Sequence, residues 1–152
     1  MLARSDYSVG DALALLAKYG LEAALLVPTP NGLDKSIMDA TSALREYLSQ
    51  RGYHDFFTQP QGQEHKILRD VYFVRPTALE KSRVSLYRPP TKSGDPRIWL
   101  GSLTRSNAAA FNLLALVVIE DTLYALNMSD VAVRASIDDA RSPFRKIVDA
   151  NR

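Results

Sequence analysis

The chain has 152 residues, a net charge of +2 and an apolar fraction of 46%, which fit one globular domain with a buried core. It contains no cysteine, so disulfide bonds and thiolate metal ligands are excluded, and two histidines could hold zinc only with the help of carboxylates. It has neither an apolar run long enough to span a bilayer nor a signal-peptide pattern, so we expect a cytoplasmic protein without membrane contacts.

The first thirty residues predict a helix, a strand and a turn. Ser8 and Asp11 have the spacing of a capping box, which predicts a helix that Gly20 can end. Residues 21–27 are nearly all apolar and predict a buried strand. The sequence PTPNG at residues 28–32 is typical of a turn.

A second helix is predicted to follow this turn. Asp34 or Ser36 can cap its amino-terminal end, and Gly52 can close it. Its apolar residues recur at helical spacing and form one stripe, which consists of Ile37, Ala40, Leu44 and Leu48.

From residue 53 onward the pattern changes to short segments rich in β-branched and aromatic residues, separated by Pro, Gly, Ser and Asn. Six strands are predicted, at residues 53–58, 66–74, 83–88, 97–100, 111–119 and 122–127. Glu120 and Asp121 form a tight hairpin turn between the last two, although the favoured glycine is missing. Ser142 and Pro143 then predict the start of a short helix that carries Phe144, Ile147 and Val148.

These elements predict an α+β fold that is mainly β, with the strands arranged as a barrel or a sandwich. We expect a single domain over residues 1–152. Its helical amino-terminal part covers about 8–51, and its barrel part covers about 53–130.

Positive charge is concentrated in the middle of the chain. Residues 45–105 contain eleven Lys and Arg against six Asp and Glu, whereas the rest of the chain is net negative. Charged runs are often only solvated surface, so the position of the cations decides what they indicate. Four of the eleven, namely Lys66, Arg88, Lys92 and Arg97, fall on two loops between predicted strands.

The two loops are QPQGQEHK at residues 59–66 and RPPTKSGDPR at residues 88–97. Arg reads guanine O6 and N7, Gln reads adenine N6 and N7, and Asp accepts from cytosine N4. Lys66, Lys92 and Ser93 suit phosphate contacts, which position a protein on DNA without specifying a base. The prolines lower the entropy cost of ordering the second loop. The two loops together therefore favour DNA recognition.

The stretch VSLYRPPTKSGDPRIW at residues 84–99, with NLLAL at 112–116 and LYALN at 123–127, resembles the amino-terminal region of type II restriction endonucleases. In that family the region is similar to the effector DNA-binding domain of EcoRII and is normally fused to an MvaI/BcnI-type nuclease domain. The resemblance covers roughly residues 53–130. It implies a DNA-binding pseudobarrel of about seven short strands with flanking helices, which holds the major groove between an N-arm and a C-arm.

By the same resemblance, residues 88–99 correspond to the C-arm, with Lys92, Asp95 and Arg97 as base or phosphate readers. Residues 59–66 correspond to the N-arm, where the match is weaker. EcoRII has a sizeable helix between its arms, and here only residues 76–82 could form a short one. Our candidate DNA-binding residues are Gln59, Gln61, Gln63, His65, Lys66, Arg88, Lys92, Ser93, Asp95, Arg97, Trp99, Arg105 and Asn107.

The resemblance implies an effector domain of a type IIE enzyme that acts on a CCWGG-type site in a bacterial or archaeal cytoplasm. We expect double-stranded DNA as the partner, a nuclease domain carboxy-terminal in the same polypeptide, and a monomer. We expect no catalytic or metal-binding residues and no cofactor in this chain, and Mg²⁺ only in the parent nuclease.

Two other functions stay open. Asp55, Glu64 and Lys66 have the order of a Mg²⁺-dependent nuclease site, although Glu64 lies in a polar stretch rather than on an apolar strand. Basic loops also bind acidic proteins, so the chain could be a protein-interaction module. Trp99 could stack on a base or anchor the core, and residues 104–107 could contact phosphates or simply join two strands.

Overall fold

The computed structural model describes residues 7–28, 37–53, 68–87, 97–101 and 112–151. The helices of this part of the chain are α1 (Val9–Ala17), α2 (Ser42–Ser49), α3 (Val131–Asp138) and α4 (Pro143–Ala150). Its strands are β1 (Ala24–Leu26), β2 (Ile37–Asp39), β3 (Arg69–Arg75), β4 (Ala78–Tyr87), β5 (Arg97–Leu100), β6 (Leu114–Ile119) and β7 (Thr122–Asn127).

These strands form one curled half-barrel sheet in the order β1-β6-β7-β3-β4-β5-β2. Neighbouring strands are antiparallel, except that β3 and β7 run parallel. The prediction of a mainly β, α+β fold is therefore confirmed. The two strands at the ends of this order, β1 and β2, come from the amino-terminal stretch in which the sequence predicted mostly helix.

One face of the sheet, which we call the inner face, packs against α2. Alternate residues of the strands point to this side, including Val71, Leu86 and Ile98, and they meet Leu44 and Leu48 of the helix. All five of these side chains are essentially inaccessible to solvent. Because burial of such side chains contributes about 1.5–3 kcal/mol each, this layer is a main source of stability.

The opposite face, which we call the outer face, is covered by α1, α3 and α4 along part of the sheet. Leu16, Val133 and Phe144 come from the three helices and pack on Val117 and Tyr124 of the β6–β7 hairpin. The rings of Tyr124 and Phe144 meet edge to face at 5.4 Å between centroids. The hairpin is thus buried on both sides.

The local signals for helix ends are confirmed where their partners lie close in sequence. The Ser8 hydroxyl accepts from the Asp11 N–H at 3.0 Å, and the Asp11 carboxylate accepts from the Ser8 N–H, as in a capping box. Gly20 follows α1 with φ of +77°. Ser142 caps α4 and accepts from the Arg145 N–H at 3.2 Å.

The predicted second helix is wrong over its first residues. Ile37–Asp39 is strand β2, paired with β5, and the helix begins only after Thr41, whose hydroxyl accepts from the Leu44 N–H. Met38 is buried opposite Ile98, so pairing with a distant strand outweighs the helical spacing of the local residues.

A helix at residues 76–82 is also excluded. Pro76 and Thr77 form the turn between β3 and β4, and β4 starts at Ala78, which lies opposite Arg75. The ladder to β3 satisfies the backbone groups of this stretch. Helix α3 was not predicted, although Asp130 caps it by accepting from the Ala132 N–H at 2.9 Å.

The strands at residues 97–100 and 122–127 are confirmed to the residue. The hairpin between β6 and β7 is also confirmed, and both Glu120 and Asp121 have positive φ, as a type I′ turn requires. In the described residues no helix is both long and apolar enough to cross a membrane. The predicted strand at 53–58 lies, apart from Tyr53, outside the described residues.

Tyr47 on α2 explains why the predicted strand at 21–27 shortens to β1. Its hydroxyl donates to the Glu22 carbonyl at 2.8 Å and accepts from the Val118 N–H at 2.9 Å. The register of β1 and β6 would place residue 22 opposite Val118, so the hydroxyl takes the place of a direct bond between the strands. Burial raises the pKa of Tyr47, which keeps the proton on this bridging oxygen.

Tyr47→Phe should lower the free energy of unfolding by about 1–3 kcal/mol, because it leaves the Val118 N–H and the Glu22 carbonyl without their partner. Urea unfolding measures this loss. Tyr53→Phe is the matched control, since the Tyr53 hydroxyl makes a longer bond of 3.3 Å to the Asp121 carbonyl. An equal loss in the two variants would contradict the bridging role.

Asp138 at the end of α3 should make stability fall in acid. Its carboxylate accepts hydrogen bonds from the Tyr19 hydroxyl and from Lys18, and these bonds lower its pKa below 3.8. The folded state therefore favours the charged form, which stabilises the protein above pH 3.8. This contribution disappears as the pH falls through the folded-state pKa.

We expect Asp138→Asn to reduce the slope of the unfolding free energy against pH below 3.8. Tyr19→Phe, which removes the largest cause of the shift, should have the same effect. Thermal unfolding at a series of acidic pH values measures both, and curves that stay parallel to the wild-type curve would refute this account.

Candidate nucleic-acid interface

Most of the candidate DNA-binding residues lie outside the described residues. This holds for all of Gln59, Gln61, Gln63, His65, Lys66, Arg88, Lys92, Ser93, Asp95, Arg105 and Asn107. Asp55 and Glu64 of the alternative nuclease site lie outside them too. Arg97 and Trp99 are described, and so are the residues on either side of the segments 54–67 and 88–96, which contain the two loops.

The segment 54–67, which includes the first loop, begins and ends at one place. Tyr53 precedes it and Arg69 follows it closely, and the Arg69 guanidinium lies over the Tyr53 ring at 4.4 Å. The Tyr53 hydroxyl also donates to the Asp121 carbonyl in the β6–β7 turn. The two chain ends of this segment are thus held together beside that turn.

The second loop, 88–96, joins β4 to β5. Tyr87 and Arg97, the residues on either side of it, lie directly opposite each other in the antiparallel ladder. Three residues earlier on β4, Val84 lies opposite Arg69 of β3, which follows the segment 54–67. The segments 54–67 and 88–96 are therefore both joined to the sheet at the end where β3 begins and β4 ends.

The segment 102–111 joins two different parts of the sheet. Before it, Gly101 donates its N–H to the Arg83 carbonyl at 2.9 Å, one rung from the pair of Val84 and Arg69. After it, Leu114 lies opposite Asn127, at the far end of the sheet from the two loops. Arg105 and Asn107, with their predicted phosphate contacts, fall in this segment, outside the described residues.

The outer face becomes polar along β4: Leu79 at the start of the strand still packs against the helix-covered cluster, and charged residues follow it. On β4, Lys81 and Arg83 are exposed, and both lie near the Asp70 carboxylate at 3.6 and 3.7 Å. Two cations share one carboxylate, so this patch is net positive. Sequence reasoning missed Lys81 and Arg83 as binding candidates, although they alternate with the inward-facing Ser82 and Val84 as expected for a half-covered strand.

Arg97 and Trp99 lie on the same outer face, on β5. The Arg97 guanidinium forms an ion pair with the Asp39 carboxylate, which is directly opposite on β2. Trp99 lies between Ser85 and Ile37 on the neighbouring strands and is partly exposed. It belongs to neither buried core cluster, and it points away from the inner face that Ile98 and Leu100 enter.

The Ser85 hydroxyl is fully buried beside Trp99, and it is the only buried side-chain polar atom of the described residues that lacks a hydrogen-bond partner. Such a group costs free energy because folding removes it from water without replacement. Titratable groups of the described residues form no cluster of three or more that could hold a metal ion.

A separate apolar groove lies between α1 and α2, at the edge strand β1. It has a volume of about 600 Å³, and its apolar lining includes Val9, Leu13 and Leu25. Val9 and Leu13 are 45% and 43% exposed. Arg51 borders the groove, where it pairs with Glu22 at 2.6 Å and lies over the Tyr47 ring.

The fold and this face define the class of protein: a mainly β, α+β domain whose half-barrel sheet has a helix-covered apolar part and a polar part beside two loop ends. No protein-family model matches the sequence, and neither curated proteins nor solved structures gave a match.

Ser85→Ala should leave the free energy of unfolding unchanged or raise it by about 1 kcal/mol, because it removes a buried hydroxyl that has no partner. Urea unfolding provides the measurement. Ser129→Ala is the control: the Ser129 hydroxyl accepts from the N–H groups of Asn112 and Leu113, so its loss should cost about 1–3 kcal/mol. Destabilisation by Ser85→Ala of the same size as the control would contradict this.

Proposed function

We propose that this chain binds double-stranded DNA in a sequence-specific manner, with the loops at 59–66 and 88–96 acting as two arms in the major groove. The observation that carries this proposal is that the described residues before and after the segments 54–67 and 88–96 lie at the same end of the sheet. Two loops carried at the same end of a sheet can reach the same few base pairs. Their Arg, Lys, Gln and Asp side chains are the residue types that read base edges and phosphates.

The polar part of the outer face supports the same function. Lys81 and Arg83 lie on it with one shared carboxylate. Exposed cations beside a recognition loop suit phosphate contacts, which set the register of a protein on DNA. In this proposal the sheet supports the arms and performs no chemistry.

The resemblance of residues 84–99 to restriction endonucleases extends the proposal to the parent protein. We propose an effector domain of a UbaLAI-like type IIE enzyme, which targets a CCWGG-type site and tethers a carboxy-terminal Mg²⁺-dependent nuclease domain. The domain itself would act as a monomer without metal or cofactor.

A second candidate function is protein interaction. The groove between α1 and α2 favours it, because Val9 and Leu13 line an apolar surface at a sheet edge. This function predicts weak DNA binding without sequence preference.

The proposal is tested by fluorescence anisotropy with the purified chain, a short CCWGG duplex and a scrambled duplex, over a range of salt concentrations without metal. We expect a preference for the CCWGG duplex and a decline in affinity with salt. Mg²⁺ is then added to the same samples, and we expect no strand cleavage. Cleavage would instead support the nuclease alternative at Asp55, Glu64 and Lys66, and equal weak binding of both duplexes would favour protein interaction.

Two alanine variants separate base readout from phosphate contact. Arg97→Ala should lower affinity for the specific duplex by about 1–3 kcal/mol and leave the scrambled duplex less affected. Lys92→Ala should weaken both duplexes similarly and reduce the salt slope by about one. If Arg97→Ala weakened both duplexes equally, Arg97 would not be a base reader.

A further inference from the structure

The ion pair between Arg97 and Asp39 lies at the last rung of the sheet before the second loop. Arg97 of β5 and Asp39 of β2 lie directly opposite each other, and both belong to the outer face. The strand ladder therefore fixes both backbone positions of the pair. The Arg97 side chain is 30% exposed and the Asp39 side chain 77% exposed, so both can be reached from solvent.

Asp39 binds the guanidinium at one corner. Its Oδ1 accepts from Nη1 of Arg97, and within the described part of the chain this is the hydrogen bond that the guanidinium makes. Guanidinium is planar and carries its donors in a rigid fork. With Nη1 held by the carboxylate, Nε and Nη2 form an edge of two parallel donors directed away from Asp39.

The net charge of the ion pair decides whether Arg97 suits a phosphate or a base. A guanidinium next to a carboxylate has little net charge, so it gains little from a phosphate, and the carboxylate repels that phosphate. A guanine edge is neutral overall and offers two acceptors, O6 and N7, which fit two parallel donors. The patch of Lys81, Arg83 and Asp70 differs, because it keeps a net positive charge and suits phosphates.

We propose that Asp39 is a positioning residue that holds Arg97 for the readout of one guanine and disfavours its use as a phosphate contact. This inference rests on the proposed function, DNA binding by the two loops. It predicts that a residue outside both loops and outside the resemblance sets specificity at one base pair.

The test uses Asp39→Asn in the full chain, with anisotropy on the CCWGG and scrambled duplexes. The variant removes a negative charge and weakens the hold on Nη1, so we expect tighter binding of the scrambled duplex. The ratio of the two affinities should fall about tenfold. Selection from a random-sequence duplex library should show that the preference for guanine is lost at one position.

Asp70→Asn is the matched control, because it also removes one exposed carboxylate from a cation pair on the outer face. It should strengthen binding to both duplexes and keep their ratio. Arg97→Lys keeps the charge but loses the fork, so it should lower the ratio as Asp39→Asn does. The double variant should lower the ratio no further than either single variant.

Melting temperatures show whether each variant still folds, so a change in DNA preference at an unchanged melting temperature reports positioning and not lost stability. If Asp39→Asn fails to fold, Arg97→Lys is used in its place. An unchanged affinity ratio in either folded variant would overturn the positioning role while the proposed function stands. Equal binding of both duplexes by the wild-type chain would overturn both proposals.

Discussion

The structure depends on the β6–β7 hairpin being buried on both faces. From Leu114 to Leu126 its side chains alternate between two apolar layers. The two-residue turn that joins the strands has positive φ at both Glu120 and Asp121. A strand pair without a polar face must be covered on each side. Helix α2 covers the inner face, and α1, α3 and α4 cover the outer face, so the positions of all four follow from this hairpin.

The polar part of the outer face begins where that cover ends. The apolar cover on the outer face reaches Leu79 at the start of β4. Farther along β4, and on β5 and β2, the outer face carries Lys81, Arg83, Arg97 and Asp39 besides Trp99 and Ile37. The inner face stays apolar across the same strands, because Val84, Leu86 and Ile98 still enter the core. The polar part of the sheet is thus packed from its inner side, while Lys81, Arg83 and Asp39 on its outer side are exposed. A rigid support of this kind keeps loops at its edge in a fixed relative position.

The ion pair of Arg97 and Asp39 lies on this face, at the residue that follows the second loop. Asp39 lies in the amino-terminal part of the chain, and Arg97 immediately follows the second loop, so β2 joins two distant stretches at the base of that loop. The amino-terminal residues are then more than a supporting layer in the proposed function. Tyr47 has a comparable position at the opposite edge of the sheet, where its hydroxyl joins α2 to β6 and to Glu22, two residues before β1.

Elements whose signals lie within a few residues could be predicted from the sequence alone. The capping box of Ser8 and Asp11, the start of α4 at Ser142, the strands at 97–100 and 122–127 and the turn between β6 and β7 all belong to this group. Each is decided by hydrogen bonds or side-chain alternation inside the segment itself. The proposal of DNA binding also came from the sequence, since it depends on the residue types of the two loops, and it stays a prediction.

Only the tertiary structure decided the elements that need a distant partner. Ile37–Asp39 has helical spacing but becomes a strand because β5 offers it a ladder and the core accepts Met38. The stretch at 78–82 is a strand because β3 lies beside it. Strand order brings Asp39 opposite Arg97, and it places the described residues beside both loops at the same end of the sheet. The spacing of residues along the chain does not encode strand order. A strand gains its hydrogen bonds from another segment, so its environment is set when the sheet assembles.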